Sequence, residues 1–302
     1  MVPAFRPALL SDARGSWPWQ PRHGHPRFAK RPRRAYTRAM NRHRVLLALL
    51  FLILTAVLAT AQGSTPPQPQ RFTAPQTGER RINALIVSGG CCHDYSLQAK
   101  VLMDAISRAL PVDWTVVVQG GRGTRGSMPV YANPQWSKPF DIVVHNECLA
   151  DVDDPNYIRR ITAAHRGGPP ALVIHCAMHS YRAATIDDWR EFLGVTTRRH
   201  TNPFAIPVKI AAKDHAVMKG FRENWVTPVD ELYVIEKLWP HATALMTAVS
   251  PEDQQEYPLV WVNEYQGTRV FGTTLGHGND TWNDPVFQDL LTRGFKWALK
   301  RE

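Results

Sequence analysis

The sequence predicts an α/β protein: a mostly parallel central sheet flanked by helices on both faces, with a β-hairpin near the C-terminus. Three observations carry that prediction. Apolar, unalternated runs such as Ala84-Leu-Ile-Val, Ile142-Val-Val and Ala171-Leu-Val-Ile read as strands buried on both faces. Helical stretches separate them in β-α-β-β-α-β order. Histidines lie just past four of the predicted strands, at His93, His145, His175 (with His179 one turn on) and His277. Open α/β sheets bind ligands at the carboxyl ends of their strands, so this placement points to one crevice.

The elements follow in order. A first strand at 82–88 ends at Gly89-Gly90. A helix at about 97–110 carries Val101, Leu102, Ala105, Ile106 and Leu110 on one face. A Val-rich strand spans 113–119, a Gly/Pro-containing loop 120–139, and a third strand 140–145. A helix at 154–165 is stopped by Gly167-Gly-Pro-Pro170, and a strand at 171–175 follows. Beyond 206 the spacing predicts strands at 206–211 and 243–250 and a hairpin of 257–262 with 268–274 around Tyr265-Gln266-Gly267. A final helix at 284–300 places Phe287, Leu290, Leu291, Phe295 and Leu299 on one buried face.

The first 61 residues read as a leader. Residues 45–61 form an uncharged apolar run preceded by Arg42 and Arg44 and closed by Ala59-Thr60-Ala61. That is a secretory signal layout with a small-residue cleavage site. A basic leader of 44 residues is too long for it, so Met40 is the expected start and cleavage is expected after Ala61. The expected location is exported, periplasmic or extracellular, with membrane contact only through the signal segment if it is uncleaved. Residues 62–80 are polar and Pro-rich and read as a linker, leaving 81–302 as a single domain.

Charge divides along the same line. The net charge is +10, and residues 1–61 hold eleven Lys/Arg against the single acid Asp12. The remainder is balanced at 25 basic and 25 acidic residues, so the sequence predicts no nucleic-acid partner. Four cysteines follow the leader. Cys91 and Cys92 are adjacent and are not expected to bond each other, whereas Cys148 and Cys176 both follow strand ends.

The candidate catalytic residues are His277, Glu147 and Cys176. His277 ends a β-rich run between Gly276 and Gly278, which let the backbone approach a ligand closely. Glu147, in His145-Asn-Glu, reads as a general acid or base, since burial raises a carboxyl pKa. Cys176 stands at a strand-to-helix elbow where a thiolate is favoured, although a buried structural cysteine is the commoner fate. His93, Asp94, His145, His179, Tyr181 and Trp282 are the candidate substrate-binding residues. No H-E-x-x-H or paired C-x-x-C is present. A divalent metal such as zinc is compatible with His93, His179 and His277 but is not required. Strand alternation beside Cys176 turns His175 toward the core.

Several segments together resemble the ThuA-like family, named for trehalose utilisation. They are Ala84-Leu-Ile-Val-Ser-Gly-Gly with His93; Val173-Ile-His-Cys-Ala; Trp189-Arg-Glu-Phe-Leu-Gly194; Asp214-His-Ala-Val-Met-Lys-Gly220; Asp230-Glu-Leu-Tyr233; Tyr257-Pro-Leu-Val-Trp261; and Thr273-Thr-Leu-Gly-His277 with Trp282 and Asp284-Pro-Val-Phe. The closing Leu290-Leu-Thr-Arg-Gly-Phe-Lys-Trp-Ala298 also fits. The resemblance implies a class I glutamine amidotransferase-like, flavodoxin-like three-layer fold and a role in carbohydrate metabolism. Cys176 and His277 fall where the amidotransferases place their cysteine and histidine. The amidotransferase His-Pro-Glu is here His277-Gly-Asn, so the acidic partner and with it glutaminase activity are not implied.

Three readings follow. The first is an exported enzyme (hydrolase, lyase or isomerase) acting on a small-molecule sugar or keto-sugar by His/Glu acid–base chemistry. The second is a non-catalytic carbohydrate-binding protein on the same scaffold. The third is a thiol-dependent amidase or hydrolase using Cys176 and His277. A homo-oligomer is compatible with each.

Overall fold

The structure, a computed structural model, describes residues 68–74, 78 and 80–302. The leader, the signal segment and Met40 lie outside the described residues. Thr65–Glu302 forms one compact unit.

Its centre is a nine-stranded sheet in the order β1-β3-β2-β4-β5-β13-β12-β11-β8. The strands are β1 (Gln70–Phe72), β2 (Ile82–Gly90), β3 (Val112–Gln119), β4 (Ile142–Cys148), β5 (Ala171–Ile174), β8 (Lys209–Ile210), β11 (Ala242–Val249), β12 (Glu256–Tyr265) and β13 (Thr268–Thr273). The five middle strands, β3-β2-β4-β5-β13, are parallel. Antiparallel strands extend the sheet at both sides. β12 and β13 are the expected hairpin. β1 falls in the segment read as a linker, yet it pairs with β3. β6 (Val195–His200) with β10 (Tyr233–Leu238), and β7 (Phe204–Pro207) with β9 (Val226–Asp230), form two further antiparallel pairs. The sequence reading missed β6, β9 and β10. They are half-exposed, and Thr, Arg and Pro in β6 and β9 and Glu236-Lys237 in β10 interrupt their apolar runs.

Strand alternation builds two cores. Ala84, Ile86, Val144, Leu172, Ile174 and Phe271 face helices α1 (Tyr95–Ser107) and α5 (Pro285–Ala298). Leu85, Val87, Val143, Val173 and Trp261 face α2 (Pro155–Ala163) and α3 (Asp188–Leu193). A short α4 (Asn279–Asn283) precedes α5. Helices α1, α2 and α5 start where a side chain satisfies an orphan N–H group. Asp94 accepts from Leu97 N–H at 3.1 Å, Asp154 from Asn156 N–H at 2.9 Å, and Asp284 from Val286 N–H at 2.8 Å. Pro155 and Pro285 occupy first turns, where no N–H bond is lost.

The parallel order reverses between β2 and β4, so β3 lies to one side and β4 and β5 to the other. Such a switch point opens a crevice at the strand ends. Gly89 and Gly90 line it with φ of 131° and 90°. A Cβ on Gly89 would lie 1.7 Å from the Gln119 carbonyl oxygen, and one on Gly90 2.2 Å from that of Cys148. Only glycine lets β2 end pinched between its two neighbours. Gly89→Ala is expected to lower the unfolding free energy by ~2 kcal/mol or more, from backbone strain and a displaced strand. Urea denaturation measures this, and an unchanged midpoint would exclude the pinch.

Candidate functional site

The crevice gathers three imidazoles from three strand ends. His93 follows β2, His175 follows β5 in a single 3-10 turn (His175–Met178), and His277 follows β13. The His93 ring centroid lies 4.8 Å from that of His175 and 5.4 Å from that of His277, both edge-on. His175 and His277 are 5.4 Å apart. His175 has a left-handed backbone, φ 48°, which turns the chain sharply out of β5. That turn brings its ring against His93 and His277 while it stays buried, as expected from the strand alternation.

A carboxylate faces this trio. Glu231, between β9 and β10, places Oε1 3.3 Å from His277 Nδ1 and 3.5 Å from His200 Nδ1. Its Oε2 lies 3.7 Å from His175 Nε2. Glu231 was absent from the candidate residues. Its only signal was its place in Asp230-Glu-Leu-Tyr233, and no local pattern connects that segment to strand ends more than forty residues away. Its neighbour Asp230 is fully buried and organises the loop: Gly276 N–H and His277 N–H donate to it at 3.0 and 3.2 Å.

The electrostatics split the trio. Burial, reinforced by neighbouring His277, holds His93 down at about 4. Burial likewise holds His175 well below the usual imidazole range, with His93 adding to it. His277 is raised, first by its contact with Glu231. Two imidazoles held toward the neutral form therefore stand beside one whose protonated form a carboxylate favours. This is the arrangement of environments that separates acid from base in a site.

Beside the trio, a cleft of about 580 Å³ opens along Gly89, Gly90, Cys92, His93, Asp94, Tyr95 and Arg122. That volume suits a ligand of sugar size. A comparable concavity of about 510 Å³ between the end of α1 and β1 holds no such chemistry.

The other candidates fall elsewhere. His145 and Glu147 are fully buried beneath the sheet, not at the crevice. β4 runs on to Cys148, so both lie within the strand and, like Val143, face α2 and α3. There Glu147 Oε1 accepts from Tyr131 Oη at 2.8 Å and Tyr181 Oη at 3.4 Å, and lies 3.0 Å from His145 Nδ1. His145 Nε2 meets His165 Nε2 at 3.0 Å. His165 Nδ1 donates to the Pro169 carbonyl at 2.7 Å, so its Nε2 accepts and His145 donates. Tyr181 belongs to this buried network.

His179 is separated from the trio by Tyr233, on which it stacks at 4.0 Å with an interplanar angle of 9°. His175, not His179, completes the cluster with His93 and His277. Trp282 is fully buried, and its Nε1–H donates to the Gly276 carbonyl at 2.9 Å. It braces the His277 turn from below and offers no face to a sugar. Asp94 caps α1 at the rim of the cleft.

All four cysteines cluster beside His93. Cys148 and Cys176 are joined in a disulfide. Cys91 and Cys92 are also joined, contrary to the expectation from their adjacency. Cys176 thus presents no thiolate while the bond stands. Which residues can hold a metal follows from the same geometry. His93, His175 and His277 each offer one nitrogen, all within 4.8 Å of one another.

A family model described as "Trehalose utilisation" matches residues 84–298. The chain belongs to the ThuA family. Among solved structures, a putative ThuA-like protein from Parabacteroides merdae is 21% identical, with a TM-score of 0.61, covering 73% of this chain and 90% of that one. One from Bacteroides uniformis is 15% identical, with a TM-score of 0.57, covering 75% and 95%. At these identities the likeness shows the fold of this ThuA-family chain. No curated protein matches the sequence. The family's matched span contains His93, His175, Glu231 and His277, so the whole trio and its carboxylate lie inside it.

Proposed function

We propose that this ThuA-family chain is an enzyme of carbohydrate metabolism that acts on a sugar or keto-sugar at the histidine-lined crevice. The observation that carries the reading is the Glu231–His277 contact at the mouth, with neutral His93 and His175 beside it. Family membership supports the carbohydrate-related role. The chemistry of the groups supports catalysis rather than binding alone, because a plain sugar site has no use for an imidazole whose proton affinity is raised by a buried carboxylate.

The pair can move a proton in either direction. Protonated His277 donates to a departing or carbonyl oxygen, and Glu231 restores or withdraws that proton through Nδ1. Neutral His93, which lines the cleft, can accept a bond from a sugar hydroxyl. The same groups serve proton abstraction beside a keto group, which suits a keto-sugar isomerase or lyase, and protonation of a leaving oxygen, which suits a hydrolase. Export from the cell belongs to this proposal as well. It rests on the apolar segment 45–61 and its A-x-A end.

The test is a panel of disaccharides and their keto derivatives incubated with purified protein, with products followed by mass spectrometry. Conversion of at least one member, lost in His277→Ala, is expected. Sugar binding by calorimetry with no turnover of any member would instead assign the scaffold to carbohydrate binding. The thiol-dependent reading predicts that Cys176→Ala abolishes turnover. The disulfide to Cys148 predicts that turnover persists in that variant.

A further inference from the structure

We propose that His93, His175 and His277 form a binding site for a divalent transition-metal ion, with Glu231 as the carboxylate that orients His277. This deepens the proposed function, on which it rests for the identity of the substrate but not for the binding of the ion.

Two independent observations carry it. The first is the grouping itself. The three residues come from three separate strand ends, and one nitrogen of each lies within 4.8 Å of the other two. A tetrahedral site with zinc–nitrogen bonds of about 2.0–2.1 Å brings its nitrogens to about 3.4 Å from one another, so the rings need close by only ~1 Å.

The second is how each ring is held. His175 Nδ1 donates to the Thr274 carbonyl at 2.7 Å. His93 Nδ1 donates to the His277 carbonyl at 3.3 Å. His277 Nδ1 lies 3.3 Å from Glu231 Oε1. In His93 and His175 the Nδ1–H donates to a carbonyl, which fixes the tautomer and leaves the lone pair on Nε2, and in His175 that atom faces Tyr233 Oη at 3.4 Å. Metal-binding histidines are held in this way, with the second nitrogen on a carbonyl or carboxylate.

The donor set fixes the class of ion. Three imidazoles with an open position suit zinc, cobalt, nickel or iron in the divalent state, and not magnesium or calcium, which prefer all-oxygen ligands. The neighbouring sulfurs of Cys148 and Cys176 are bonded to each other, so the nitrogens are the available ligands. His93 also lines the cleft, so a hydroxyl or keto oxygen of a sugar bound there would approach the ion from that side. A bound ion would polarise that oxygen. With His277 engaged through Nε2, the proton role passes to Glu231.

The test uses full-length protein stripped with a chelator, then titrated with Co²⁺ and Zn²⁺. Calorimetry is expected to give one equivalent of Zn²⁺ per chain, and Co²⁺ to give visible absorption bands of a low-coordinate nitrogen site. His175→Ala is expected to weaken Zn²⁺ binding by about 100-fold or more. Glu231→Gln, which removes only the orienting group, is expected to weaken it by about 10- to 100-fold. His241→Ala, an exposed histidine outside the cluster, is expected to change nothing. Thermal unfolding of each stripped variant shows whether it is folded, and Glu231→Gln keeps the test valid if His175→Ala is not. Absence of stoichiometric binding overturns the inference, as does binding that survives the double variant His93→Ala/His277→Ala. Full turnover by protein shown to hold no ion overturns it while leaving the enzyme reading intact. Stoichiometric binding without turnover of any sugar supports the site and sinks the enzyme reading.

Discussion

Glu231→Gln is expected to lower turnover by about 10²- to 10⁴-fold, the usual range for removing a general acid or base, while changing KM far less. The substitution keeps the size of the side chain and removes its charge and basicity. The carboxylate stands 3.3 Å from His277 Nδ1, 3.5 Å from His200 Nδ1 and 3.7 Å from His175 Nε2, so three imidazoles lose their anionic neighbour at once. A second readout separates this from loss of structure. His277 is raised chiefly by Glu231, so in the metal-free variant its pKa should fall back toward the ordinary imidazole value. Proton NMR of the imidazole signals across pH 5–9 measures that shift. Retention of most of the activity together with an unmoved His277 titration would remove Glu231 from the site.

A second large effect is loss of stability in mild acid. Burial holds His165 and His179 at about 3. It also holds His175 well below its usual value. These groups are neutral in the folded chain, while in the unfolded chain they take up protons below about pH 6.5. The unfolded state therefore binds more protons, and stability falls as pH drops from about 6.5 toward 3. Each fully buried histidine costs up to ~1.4 kcal/mol per pH unit in that window, and three acting together can exceed the stability of a typical domain by pH 4–5. His277 has the opposite sign, because its raised pKa adds stability that is present at low pH and lost as pH rises through its folded pKa. One such residue does not offset three. Urea midpoints at pH 7, 6 and 5 are expected to fall progressively. His165→Gln, which cannot take up the proton, is expected to flatten the slope. A midpoint constant to pH 5 would show that these imidazoles are not held neutral.

The buried network beneath the sheet explains why sequence patterns misplace some functional candidates. His145 and Glu147 have the composition of an active site, and their strand had been expected to end at residue 145. The strand continues to Cys148 because its backbone pairs with β2 through Gly90. Three more residues of strand moved both side chains from the rim to the interior. Whether a strand stops at one residue or three later depends on its neighbours' register, which local propensity does not encode.

The sequence by itself determined the layered α/β architecture, the succession of its strands and helices along the chain, the closing hairpin and the family. Those depend on runs of apolar residues and on turn chemistry, which act over a few residues. It also marked His93 and His277, because glycines beside a strand end are a local signal. The tertiary structure alone decided that His175 rather than His179 joins them, since a left-handed backbone at one residue redirects the ring. It alone brought Glu231 to the cluster and paired Cys148 with Cys176. These are contacts between residues far apart in the chain, set by sheet order and loop packing, and the free energy that selects them belongs to the whole fold.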